Sequence, residues 1–156
     1  LHLGRTVYHP PTPPDPMTPF AAAAIMEHRS DAGSEVAIRL RNADLWQREL
    51  PPRLRACHPG PGGEPAFHRF PIVCPDAATA HRLLARGRRL GLSQGYPTPL
   101  PLLEAAGPIR ATPVDADSRA TDLARRLVTL PTHSQVTARD RRRIATLLKA
   151  EAPVSD

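Results

Sequence analysis

In the stretch "LVTLPTHSQVTARDRRRIATLL", residues 127 to 148, His133 stands beside Ser134 just ahead of an arginine run. A serine nucleophile needs a base whose ring nitrogen reaches its hydroxyl and a third group that orients the base. Adjacent residues of an extended chain point apart, and no G-x-S-x-G elbow surrounds Ser134. The pair therefore reads as a polar loop between two helices. Arg139, Arg142 and Arg143 share one broad face of the helix that follows and could grip a phosphate backbone. Asp140 and Asp122 dilute that field and no aromatic residues interleave, so nucleic acid is not the expected partner. Cys57, His58, His68 and Cys74 carry the right atoms for zinc, but their spacing matches no paired-ligand pattern, and no metal site is expected. "GPGG" at 60–63 lacks the lysine of a phosphate-binding loop, and its flanking prolines remove amide donors.

The elements that would carry these residues follow from periodicity and punctuation. Six prolines in "HPPTPPDPMTP", residues 9–19, make residues 1–16 a stiff extended strap or linker. Met17, Phe20, Ala21, Ala24 and Ile25 then recur at helical spacing, followed by a second apolar series, Val36, Leu40, Ala43 and Leu50. Gly33 and its polar neighbours divide them, which predicts one long kinked helix or two consecutive ones ending before Pro51. "RLRAC" at 53–57 and "AFHRFPIVC" at 66–74 read as adjacent antiparallel strands, with Pro71 placing the second at an edge. Asp76 caps a helix that buries Ala77, Ala80, Leu83 and Leu84 and closes at Gly91. "LSQGYPTPL" at 92–100 is a short extended segment. Ala120, Leu123, Ala124 and Leu127 form another helical stripe, stopped by Pro131, and Thr137 with Asp140 opens the last helix as a capping box. The expected fold is α+β: a small antiparallel or mixed sheet of about three strands packed with helices and preceded by a long helical segment. Residues 17–152 form the domain and 153–156 a tail.

With 156 residues the chain has room for one domain. Its apolar share is 40% but aromatics are only 4%, so the core must be built from Leu, Ala, Val and Ile. Of 21 basic residues 20 are Arg, which with abundant Ala, Pro and Gly reads as compositional bias more than as selection for polyanions. No apolar run approaches the roughly 18 residues that span a bilayer, so no membrane partner is expected and the cytoplasm is the expected location. The start at Leu1 suggests a fragment, a split gene product or an excised domain.

Four segments, in order, resemble the C-terminal part of the DegT/DnrJ/StrS-type pyridoxal-phosphate-dependent aminotransferases. "LARRLVTLPTHSQVTARDRRRIATLL" is similar to the family's closing helix, its "LP-x-H/Y" stop and the "T/S-x-x-D/E" that opens the final helix. "MTPFAAAAIMEHRSDAGSEVAIRLRNADLWQREL" resembles its long connecting helix, "AFHRFPIV" its central small-domain strand, and "LGLSQGYPTPL" its "G-I-x-x-x-Y-x-x-P-L" segment.

The resemblance implies the small domain of an enzyme that transfers an amino group to a small keto substrate, such as a nucleotide sugar. It implies pyridoxal phosphate in the intact enzyme, held by a Schiff-base lysine of a large domain, and a partner that is either that large domain or a second subunit. The single lysine here, Lys149, lies in the tail of the last helix, so no covalently bound cofactor and no catalytic residue is expected in this chain. Tyr96 matches the family's Tyr and Leu100 its Leu, while Pro101 stands where a His is common. Tyr96 and Arg69 are the expected substrate contacts. The reading from a different class is a stand-alone Arg-rich binding module for nucleic acid or another phosphate-bearing partner.

Overall fold

The computed structural model describes residues 16–28, 31–96, 98–99, 102–103 and 118–152. Most of the expected strap, the tail 153–156, Leu100 and Pro101 lie outside them. In chain order the elements are α1 (Pro19–His28), α2 (Ala32–Glu49), β1 (Arg55–Ala56), β2 (Arg69–Val73), α3 (Ala77–Gly87), a 3-10 turn (Arg88–Leu90), β3 (Ser93–Gln94), α4 (Arg119–Arg126), β4 (Leu127–Pro131) and α5 (Ala138–Glu151).

Side-chain caps set where three helices begin. The Asp76 carboxylate accepts from the Thr79 amide at 2.6 Å to open α3. Ser118 does the same for α4 through the Thr121 amide, more loosely at 3.4 Å. At α5, Thr137 Oγ1 accepts from the Asp140 amide while Asp140 accepts from the Thr137 amide, which completes the expected capping box. α3 gives way at Gly87 to the 3-10 turn, and Gly91 ends it in the left-handed region at φ 86°, where a side chain would be strained. Gly87 has a different reason to be glycine. A Cβ there would lie 2.5 Å from Leu92 Cδ2 and 3.0 Å from Leu92 Cβ, and Leu92 is buried. Gly87→Ala should therefore cost about 1–3 kcal/mol as overpacking, seen as a lower urea midpoint; an unchanged midpoint would show that this contact relaxes freely.

All four strands pair antiparallel in the order β1-β2-β4-β3. Two expectations are corrected here. "LVTLP" is not the end of a helix: α4 stops at Arg126 and residues 127–131 form β4, an inner strand bonded on both sides. A short apolar run with β-branched Val128 and Thr129 fits either period, and pairing with β2 and β3 decides it. Nor is β2 an edge strand, since β1 and β4 flank it. Pro71 is tolerated because its nitrogen faces β1 just beyond that strand's two residues; its carbonyl still accepts from the Cys57 amide at 3.0 Å.

Phe70, Ile72, Val128 and Leu130 point to one face of the sheet, each at most 1% exposed. Ala80 and Leu83 of α3, Ile144, Leu147 and Leu148 of α5, and Ala43 and Trp46 of α2 close the core over them. α2 docks on a different face from the one its apolar series suggests. Val36 and Leu40 are exposed, and Asn42, Ala43 and Trp46 are buried instead. α1 buries no residue at all. No helix among the described residues is long and apolar enough to cross a membrane.

One carboxylate is enclosed within this packing. Glu151, at the end of α5, has a side chain only 7% exposed and joins Arg82 at 2.8 Å and Arg86 of α3. The Arg82 hydrogen bond, with Arg86 beside it, holds the Glu151 carboxyl below its ordinary range despite burial. Asp76 is lowered by the Thr79 amide and Asp140 by the Thr137 hydroxyl. A carboxyl lowered on folding stabilises above its unfolded pKa, and that stabilisation is lost as pH falls through the folded value. The urea midpoint should stay flat from about pH 7 to 5 and drop below about pH 4. Glu151→Gln should shrink the drop; an unchanged acid limb would remove Glu151 as its source.

Candidate functional site

Tyr96 follows β3 and lines a cavity of about 320 Å³ together with Thr98, Pro99, Ala120, Leu123, Ala124 and Leu127. β3 brings it there by pairing Gln94 with Val128 of β4, and the Gln94 amide adds a 3.3 Å bond to the Ala124 carbonyl of α4. The walls are almost wholly apolar, with the Tyr96 and Thr98 hydroxyls as the polar side-chain groups. Tyr96 is 72% exposed, so its ring stands at the rim and can meet a ligand. The volume falls at the low end of the about 300–1,000 Å³ of small-molecule sites.

Arg69 is placed differently. It opens β2 and is half-buried, and its guanidinium lies along β4: Nε donates to Thr129 Oγ1 at 2.6 Å and Nη2 to the Thr129 carbonyl at 3.0 Å. Nη2 also bonds the Gly91 carbonyl in the turn before β3. Desolvation pulls the Arg69 pKa down from its ordinary value. No carboxylate pairs with it among the described residues, and Nη1 makes no hydrogen bond there. Arg69 thus ties β2, β4 and the approach to β3 together and has one donor left over. The two expected substrate contacts occupy different features, with Tyr96 beside Leu127 and the Arg69 head at Thr129 and Gly91.

The turn after β4 holds the His133-Ser134 pair, and α2 clamps it by its backbone. Trp46 Nε1 donates to the Pro131 carbonyl at 2.9 Å, and Asn42 Nδ2 to the Thr132 carbonyl at 2.8 Å and the His133 carbonyl at 3.4 Å. Arg141 of α5 in turn donates to Asn42 Oδ1 at 3.3 Å. The Ser134 amide donates to Glu35 Oε1 at 3.3 Å, and contact with Ser134 is the main cause that lowers the Glu35 pKa. Arg39 bridges Glu35 at 2.9 Å and the His68 carbonyl at 2.7 Å. Buried Thr132 sets its hydroxyl 2.6 Å from the Phe67 carbonyl, which anchors Phe67 in a left-handed conformation, φ 42°. The turn is a joint, with Ser134 engaged by α2 rather than by His133. Reading the residues one at a time misses this clamp, yet a signal is present: Glu35, Arg39, Asn42 and Trp46 recur at spacings of four, three and four, a single helical stripe.

The other candidates do not assemble. Cys74 is buried and its thiol is pushed up to about 12, first by desolvation, which makes it inert as a nucleophile. Among the described residues no three of His, Cys, Asp and Glu come together as a metal site would need. The arginine run splits, with Arg141 turned to α2 and Arg142 and Arg143 facing the end of α3.

No protein-family pattern and no curated protein matches the sequence. Solved structures do match the fold. DesV of S. venezuelae, in complex with a ketimine intermediate, superposes with a TM-score of 0.73 at 22% identity over 87% of this chain. A DegT DnrJ EryC1 StrS aminotransferase from Brucella abortus gives 0.68 at 20% over 86%, and the aminotransferase TlmJ from Streptoalloteichus hindustanus 0.64 at 21% over 84%. The chain spans only 37%, 35% and 35% of those three chains. At such identities the likeness establishes a shared fold, that of a little over a third of a larger architecture.

Proposed function

We propose that this chain is the C-terminal small domain of a DegT/DnrJ/StrS-type aminotransferase, which works on a keto substrate of the nucleotide-sugar class when joined to a large cofactor-binding domain. The observation that carries this reading is α1. None of its ten residues is buried, and Phe20 is 84%, Met26 64% and Ile25 57% exposed. Val36 and Leu40 of α2 add to that apolar surface. An isolated helix of this length is marginal in water, and surface of this kind calls for a cover. The matched structures carry nearly two-thirds of their length outside the region shared with this chain, which is consistent with a further domain large enough to cover it.

The residues present do not fit covalently bound pyridoxal phosphate. Lys149 is exposed on the last turn of α5, and no acidic group pairs with it among the described residues. In this reading the chemistry belongs to the large domain. This chain presents Tyr96 at the rim of the apolar cavity and the spare Nη1 of Arg69 to an anionic group of the substrate.

The test is association. DNA upstream of the Leu1 codon should encode an α/β domain bearing a lysine, and that domain, produced separately, should bind this chain one to one. Replacing Phe20, Ile25 and Met26 together by Ser should weaken the complex at least a hundredfold while leaving the unfolding midpoint unchanged. Pyridoxal phosphate added to this chain alone should give no new absorbance band. A start codon at Leu1 with no such domain upstream, or self-association through α1 that the large domain cannot displace, overturns the reading.

A further inference from the structure

A second concave site lies on the helical side, where the end of α3 and the 3-10 turn meet α5. Its volume is about 460 Å³, and its walls are Arg86, Arg89, Leu90, Arg142, Arg143 and Thr146. Four of these six residues are arginines. Arg86 is committed to Glu151, which it shares with Arg82. No ion pair joins Arg89, Arg142 or Arg143 to a carboxylate among the described residues. Asp140, held by Thr137 in the capping box, also interacts electrostatically with Arg143. The cleft thus gathers positive charge from α3, the 3-10 turn and α5, and leaves Arg89 and Arg142 without an acidic partner among the described residues.

We propose that this cleft binds a small, multiply charged phosphate anion of the diphosphate type. Planar guanidinium forks match phosphate oxygens two at a time, and forks on two walls of one cleft can hold two linked phosphate groups where a single phosphate would engage only one wall. Leu90 provides an apolar patch for an attached group, and the volume is that of a small-molecule site rather than an extended track. The absence of aromatic residues from the lining removes the stacking that a single-stranded polynucleotide would use. This site is distinct from the cavity at Tyr96 and does not rest on the aminotransferase reading.

Calorimetric titration of the full chain with inorganic pyrophosphate at low ionic strength tests it. Saturable one-to-one binding is expected, tighter than that of orthophosphate and weakened by added salt. Arg142→Gln with Arg143→Gln should weaken it at least tenfold. Arg48→Gln with Arg53→Gln, which removes the same charge elsewhere on the surface, should change it less than twofold. Arg142→Lys with Arg143→Lys, which keeps the charge but removes the forks, should fall between them, with unfolding midpoints unchanged in all three pairs. Binding that does not saturate, or equal losses in the two Gln pairs, overturns the site. Binding of a single-stranded RNA oligomer that pyrophosphate cannot displace also overturns it, in favour of a polynucleotide surface.

Discussion

Trp46→Ala should destabilise the chain by about 3–5 kcal/mol, the range for deleting a fully buried aromatic side chain from a packed core. Trp46 is 0% exposed and belongs to the same buried core cluster as Phe70, Ile144 and Leu148, so the cavity left behind has little freedom to collapse. A second cost comes from the lost indole donor. The Pro131 carbonyl accepts from Nε1 at 2.9 Å, and without it that carbonyl is left in a buried place. Each kcal/mol moves the melting midpoint of a chain this size by about 2–4 °C, so a fall of roughly 6–20 °C is expected. Trp46→Phe separates the two contributions, because it keeps most of the apolar volume and removes only the donor; it should retain more than half of the lost stability. Urea melts followed by circular dichroism measure both. A loss below about 1 kcal/mol for Trp46→Ala would mean that α2 is not held by this residue, and the clamp on the 131–134 turn would lose its main anchor.

Arg69→Ala should cost about 2–3 kcal/mol, because it removes three bonds from a charged donor that tie β2 to Thr129 and Gly91. Arg69→Lys should recover less than half. A lysine has one ammonium where the fork has Nε and Nη2 in a fixed plane, and it cannot reach Thr129 and Gly91 together. The pair of variants tells what kind of residue Arg69 is. If Arg69→Ala melts at the original urea concentration, the three bonds contribute nothing and the whole guanidinium is available to a substrate. If it falls as expected, Arg69 first of all positions the strands, and substrate contact is left to its remaining donor. On the aminotransferase reading proposed above, the second outcome predicts that Arg69→Lys in the joined protein lowers stability and changes KM with little effect on kcat.

What could be read from the sequence was local. Asp76, Thr137 and Asp140 announce helix starts through short polar side chains whose bonds reach only three residues, and each does so in the structure. Gly91 announces a stop for an equally local reason, its positive φ. What failed was non-local. "LVTLP" is too short for its period to separate helix from strand, and its identity is set by β2 and β3, which lie 34 or more residues before their partners in it, Gln94 with Val128 and Arg69 with Pro131 among them. Pro71 correctly reports an unpaired amide position, but whether that makes an edge depends on β1 stopping after two residues. The orientation of α2 was misread because its docking face is led by Trp46 and Asn42, one aromatic and one amide, with Ala43 between them. Hydrophobic counting favours Val36 and Leu40, which the fold leaves outside. The bonds of Arg69 are not legible in the sequence, since they depend on which residues face it across the ladder.

The sheet has two outer strands, β1 and β3, and each is two residues long. An edge that short exposes too few free amides and carbonyls to template another strand, which is how many proteins avoid stacking their sheets into fibres. For this molecule it means that growth by strand addition is closed off on both sides of the described sheet. The described apolar surface that remains open to a neighbour lies on helices, at α1 and at Val36 and Leu40 of α2.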